Sequence, residues 1–165
     1  MNAEDSALLA ALLRKERLAH IGTLRAGAPM VSMTLFMPES DLKSNRSSGG
    51  FSAFYIHVSR LAWHTQDLQS DARCALSIAE TDDGRADPFT LARVTLRGEA
   101  LQIQNQDPAV PDLRIAWLDR FPEQEINFEL ADFSFWRIAP RDARFVAGFG
   151  RIYNLSADAL KNASA

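Results

Sequence analysis

The chain has 165 residues, 47% of them hydrophobic, which suits one compact domain with a sizeable core. A net charge of -3 and a sequence pI of about 5.6 leave no broad basic surface for nucleic acid, and the composition excludes collagen, coiled-coil and wholly disordered classes. Cys74 is the only cysteine and no apolar run approaches the ~20 residues that span a bilayer, so the expectation is a soluble cytoplasmic protein with no disulfide and no membrane partner.

In chain order, residues 3–17 read as a helix, with Leu8, Leu9, Leu12 and Leu13 in one stripe closed by a charged run. Residues 18–24 read as a strand, residues 25–29 as a turn around Gly27, and residues 30–37 as a strand apolar enough to be covered on both faces. Residues 38–50 are polar and predict a mobile surface loop. A third strand over residues 51–58 precedes a short helix over residues 61–68. Strands are predicted at residues 73–79 and, with a bend, at residues 89–103. Leu113, Ala116, Trp117 and Phe121 share one face of a helix over residues 112–121, with Trp117 and Phe121 as packing residues. Strands at residues 133–139, 143–149 and 151–155 finish the sheet, and residues 156–165 form a polar tail. This pattern predicts a single domain over residues 1–165 of α+β class, mainly β, with an antiparallel barrel and a few flanking helices.

Chemistry-bearing residues gather in three places. Ser59 before a helix suits an N-cap, and a helix start with Arg60, His64 and Thr65 at hand is a natural anion site or an ordinary capped surface helix. Arg93, Thr95 and Arg97 alternate onto one strand face, either a solvated exterior or the lining of a cleft. Asp132 opens an aromatic strand, and Gly148-Phe149-Gly150 permits a bulge or a close backbone approach. The histidines His20, His57 and His64 have no paired ligand spacing, so no metal site is expected. There is no Gly-x-Ser-x-Gly, Cys74 reads as an inert core residue, and no catalytic acid or base stands out.

In this order the motifs Gly27-Ala-Pro29-Met-Val-Ser32, Ser59-x-Leu-Ala-x-His64-Thr65-x-x-Leu68, Ala92-Arg93-Val-Thr-Leu-x-Gly98 and Asp132-Phe133 with Val146-x-Gly148-Phe149-Gly150 resemble the pyridoxamine-phosphate-oxidase-like FMN-binding split barrels. Within them the chain is most similar to the haem-iron-utilisation branch. The resemblance implies a split-barrel homodimer with a small-molecule site at the subunit interface. It implies FMN held by Ser32, Met33, His57, Ser59, Ala62, His64, Thr65 and Arg93, and an FMN-dependent oxidoreductase. Asn154-Leu155-Ser156 stands where true pyridoxamine-phosphate oxidases carry their substrate-gripping Arg-x-His, so that activity is not expected. Two alternatives share the scaffold: haem handling, with His64, Arg93 and Asp132 near haem and the iron ligand drawn from His20, His57 or His64, and a non-catalytic flavin carrier.

Overall fold

The computed structural model describes residues 1–42 and 50–163. Helix α1 (Ala3–Lys15) starts where the Asn2 side chain accepts from the Asp5 amide, and it buries Leu9, Leu12 and Leu13. Strands β1 (Leu18–Arg25) and β2 (Ala28–Leu35) form a hairpin, turned at Ala26 and Gly27 with φ of 51° and 81°. A two-residue strand β3 (Met37–Pro38) and a 3₁₀ turn (Glu39–Asp41) follow. Next come β4 (Phe54–Ser59), α2 (Trp63–Ser70), β5 (Arg73–Ala79) and β6 (Arg93–Gln102). Helix α3 (Val110–Arg120) runs into a 3₁₀ segment, Pro122–Glu129. Strands β7 (Phe133–Val146) and β8 (Ile152–Ser156) and helix α4 (Ala157–Lys161) complete the chain.

Among the described residues all pairings are antiparallel, in the order β2-β1-β5-β6-β7-β4-β3, with β8 added to β7. The far strands β2 and β4 approach each other, so the sheet curls into a split barrel. Period-2 alternation fills it: Ala19 and Ile21 of β1, Leu76 and Ile78 of β5, and Val94 and Leu96 of β6 point inward and are buried with the α1 leucines. A second apolar cluster, with Trp117, Phe121, Phe135 and Tyr55, lies between α3 and the β4/β7 pair. Trp117 and Phe121 are packing residues as expected, at 1% and 0% exposure.

Several elements differ from the sequence reading. The two strands expected at residues 133–139 and 143–149 are one 14-residue strand, because Pro140 sits opposite Gly98 where the β6/β7 register shifts. That crossing needs glycine: a Cβ at Gly98 would lie 2.1 Å from the Ala139 carbonyl oxygen. Strand β2 is not covered on both faces, since Val31 and Met33 are 64% and 61% exposed. Of the loop expected at residues 38–50, residues 43–49 lie outside the described residues, while Pro38, Ser40, Leu42 and Gly50 are buried. The expected polar tail carries α4, whose Leu160 is buried in the core and accepts the Phe51 amide; residues 164–165 lie outside the described residues.

Candidate functional site

An open cleft of about 1410 Å³ runs between the end of α1, the outer faces of β1, β2 and β5, the end of β4, the start of α2 and the 3₁₀ segment Pro122–Glu129. Leu8, Leu12, Leu18, Met33 and Leu35 give it an apolar lining. All three histidines of the sequence line it.

The residues that reach it do so by register. His20 on β1 stands opposite Met33 on β2 and Ser77 on β5, so the three share the outer face of the sheet. Inward neighbours Ala19 and Ile21 are fully buried, and this pins which side of β1 faces the cleft.

His57 comes from β4, opposite Phe135 on β7. Its ring stacks on Phe128 with centroids 4.3 Å apart and meets Phe135 at 4.5 Å, Phe133 at 5.4 Å and Trp117 at 5.9 Å. The Nδ1 atom is sealed from solvent with no hydrogen-bond partner among the described residues. Burial, reinforced by the Arg114 charge, pulls the imidazole down from 6.5 to about 4, so it is neutral near pH 7.

His64 lies on α2, where its Nε2 is likewise buried without a partner. Burial lowers its pKa, opposed by the Asp67 charge. The helix is fixed by Asp67, whose buried carboxylate accepts from Thr23 Oγ1 and Arg25 Nη1, both at 2.8 Å. Arg25 in turn lies over the Trp63 ring at 4.3 Å. Ser59 is not the N-cap of α2: Ala62 holds that position with no side-chain cap. The helix begins too late for Ser59 to reach it, and its Oγ instead accepts from the Leu61 amide and donates to Asp132.

The rim carries more acid than base, with Lys15, Arg17 and Arg85 set among Glu16, Glu80, Asp82, Asp83 and Glu123. Arg17 pairs with Glu123, and Arg85 with Asp83 and Glu80, while Glu16, Asp82 and Lys15 also line it. Lys15 makes no ion pair among the described residues, which leaves it as the unneutralised cation of the lining.

Of the expected site residues, Met33, His57, Ser59, Ala62 and His64 therefore come together in the cleft. Ser32 pairs with Ile21 and lies on the other side of β2 from Met33. Thr65 is fully buried in α2, its hydroxyl without a partner among the described residues. Arg93 stands opposite the lining residue Ala79, one strand beyond the wall, and donates to the Phe89 and Leu91 carbonyls. Asp132 reaches the cleft only through Ser59. Cys74 is buried, and burial pushes its thiol up to about 12, so it is inert. Sequence reading missed the 3₁₀ segment that supplies Gln124, Asn127 and Phe128, and the Asp67 anchor. An Asp one position before Leu68, in the second turn of a short helix, was the available signal for the second; the first had none.

Known proteins give this geometry a setting. The sequence pattern of the family described as CREG, beta-barrel matches residues 2–160. The chain is 38% identical over 93 residues to the non-canonical heme oxygenase HOZ, chloroplastic, of Arabidopsis thaliana, covering 56% of this chain and 27% of that protein. It is 24% identical over 108 residues to the heme oxygenase HutZ of Vibrio cholerae, covering 65% and 61%. The chain thus spans about a quarter of the plant relative's length and about three-fifths of HutZ. The solved structure of a heme binding protein from Mycobacterium smegmatis superposes with a TM-score of 0.79 at 25% identity, over 100% of this chain and 62% of that one.

Proposed function

The chain belongs to the CREG β-barrel family, and on that premise we infer that its cleft binds haem, in the manner of the haem-utilisation branch of the split barrels. The observation that carries this reading is the convergence of every histidine in the sequence on one apolar-lined cleft. The names of HOZ, HutZ and the mycobacterial protein support it.

The residues fit a flat, largely apolar group with acidic arms. Leu8, Leu12, Leu18, Met33 and Leu35 would pack against the ring, and Lys15 would pair with a carboxylate at the mouth. The rings of His57 and His64, each with one nitrogen buried and without a partner among the described residues, and the exposed ring of His20 are the polar groups that would meet the ligand. Bound haem supplies iron-centred redox chemistry. The chain's own part is to exclude water along the leucine wall, to orient the ring, and to hold the start of α2 rigid through Asp67. Asp132 acts by fixing Ser59 at the rim.

In this reading the working form is a homodimer with the cleft at the subunit interface. Leu18, Val31, Met33 and Ile152 leave the outer sheet face apolar and exposed, which supports this reading, and Arg93, just beyond the cleft of its own chain, would then serve a neighbouring copy. A second reading puts FMN in the same cleft, its phosphate at the start of α2 beside Ser59, Ala62 and His64, as an oxidoreductase or a carrier. Parallel absorbance titrations of purified protein with haemin and with FMN separate the two. One haemin per subunit with a sharp Soret shift and no saturable flavin shift is the expected result, and stoichiometric FMN uptake with only diffuse haemin binding would reverse the assignment.

A further inference from the structure

The three histidines of the cleft are not equivalent. His57 is held on several sides by rings, and no hydrogen bond to a protein group orients it among the described residues. With Nδ1 sealed off and His57 in the cleft lining, Nε2 is the ring nitrogen left to meet a ligand. A neutral imidazole carries one proton, and an N–H buried without an acceptor is costlier than a buried bare lone pair. The proton therefore sits on Nε2, which makes that atom a donor.

This arrangement is unsuited to iron. A metal-bound histidine passes its other N–H to a carbonyl, carboxylate or water. Ligation through Nε2 would force the proton to Nδ1, where no acceptor is present among the described residues. The charged group facing His57 is Arg114 on α3, which lies 4.8 Å over the Phe128 ring against which His57 stacks. On the cleft side Glu123 is already paired with Arg17. A positive charge beside a neutral donor favours an anionic acceptor.

Resting on the haem reading above, the geometry points to His57 as a fixed neutral donor that binds a propionate carboxylate of the porphyrin through Nε2–H, leaving iron ligation to His20, since the buried Nε2 of His64 is equally without an acceptor among the described residues. Before a ligand binds, burial keeps that donor neutral near pH 7.

Two measurements test this. Two-bond proton–nitrogen correlation spectra of the wild-type protein, with only three imidazoles to assign, should show His57 as the Nε2–H tautomer; an Nδ1–H tautomer overturns the proposal. Binding is then compared for haemin and for iron-free protoporphyrin IX, which keeps the propionates. His57→Phe should weaken both by roughly tenfold, the loss of one buried hydrogen bond to a charged group. His57→Gln, which restores an N–H near the Nε2 position, should recover most of both. A loss confined to haemin would make His57 an iron ligand and overturn the proposal, as would unchanged affinity for both porphyrins. If wild-type protein binds neither porphyrin, the haem reading itself falls and the propionate contact with it.

Discussion

The two walls of the cleft present a histidine by opposite means. On the β4 wall, His57 is fixed by aromatic faces alone, with Phe128, Phe135 and Trp117 around it and a nitrogen left bare. On the α2 wall, His64 rides a helix locked by charge: Asp67 is buried beneath it and satisfied by Thr23 and Arg25. An aromatic wall is stiff through packing and low in dielectric, so it sets a protonation state. A buried polar wall sets a position, because each of its bonds fixes a direction.

Breaking the aromatic wall should cost most. Trp117→Ala removes a side chain that is 1% exposed and is expected to destabilise the fold by about 4 kcal/mol, read as the shift of the denaturant midpoint at constant slope. A loss below about 1 kcal/mol would mean that Trp117 is not a pillar of this wall.

Acid sharpens the contrast. The folded state holds His57 at about 4 against 6.5 for the free side chain, so the unfolded chain takes up that proton first as pH falls. The contribution is complete above pH 6.5 and is lost progressively between about pH 6.5 and 4, to a limit of about 3 kcal/mol. In His57→Phe that part of the acid sensitivity should vanish. Identical pH–stability curves for the two proteins between pH 4 and 7 would contradict the aromatic shielding of His57.

Breaking the polar wall should cost less, since Arg25 is 37% exposed and can turn to water when its partner is removed. Asp67→Ala is expected to destabilise by about 2 kcal/mol, leaving Thr23 unpaired. It should also loosen α2, seen as faster amide exchange over Trp63–Ser70 than over β4.

The two walls also differ in how far the sequence reveals them. Strand β5 was legible to the residue because Cys74, Leu76 and Ile78 alternate with exposed or half-buried neighbours. The helix carrying His64 was legible within two residues, although its true cap was not, since Ser59 is spent on Asp132. The His57 wall was hidden, because its rings come from β7, α3 and an aperiodic 3₁₀ segment that only the tertiary fold brings together. Strand β2 misled for a different reason: its apolar run read as covered on both faces, and an apolar face left uncovered on one chain has the same sequence signature as one buried within it. The single strand β7 likewise read as two, since the bulge that lets it run on opposite Gly98 is set by the β6/β7 register.

The most direct test of the haem-binding cleft is the haemin absorbance titration repeated on a variant with His20, His57 and His64 all changed to alanine. The wild-type protein should give a stoichiometric Soret shift that the variant, folded by circular dichroism, loses. A folded variant with the same shift and the same stoichiometry would show that haem does not depend on this cleft's histidines, and would contradict the assignment.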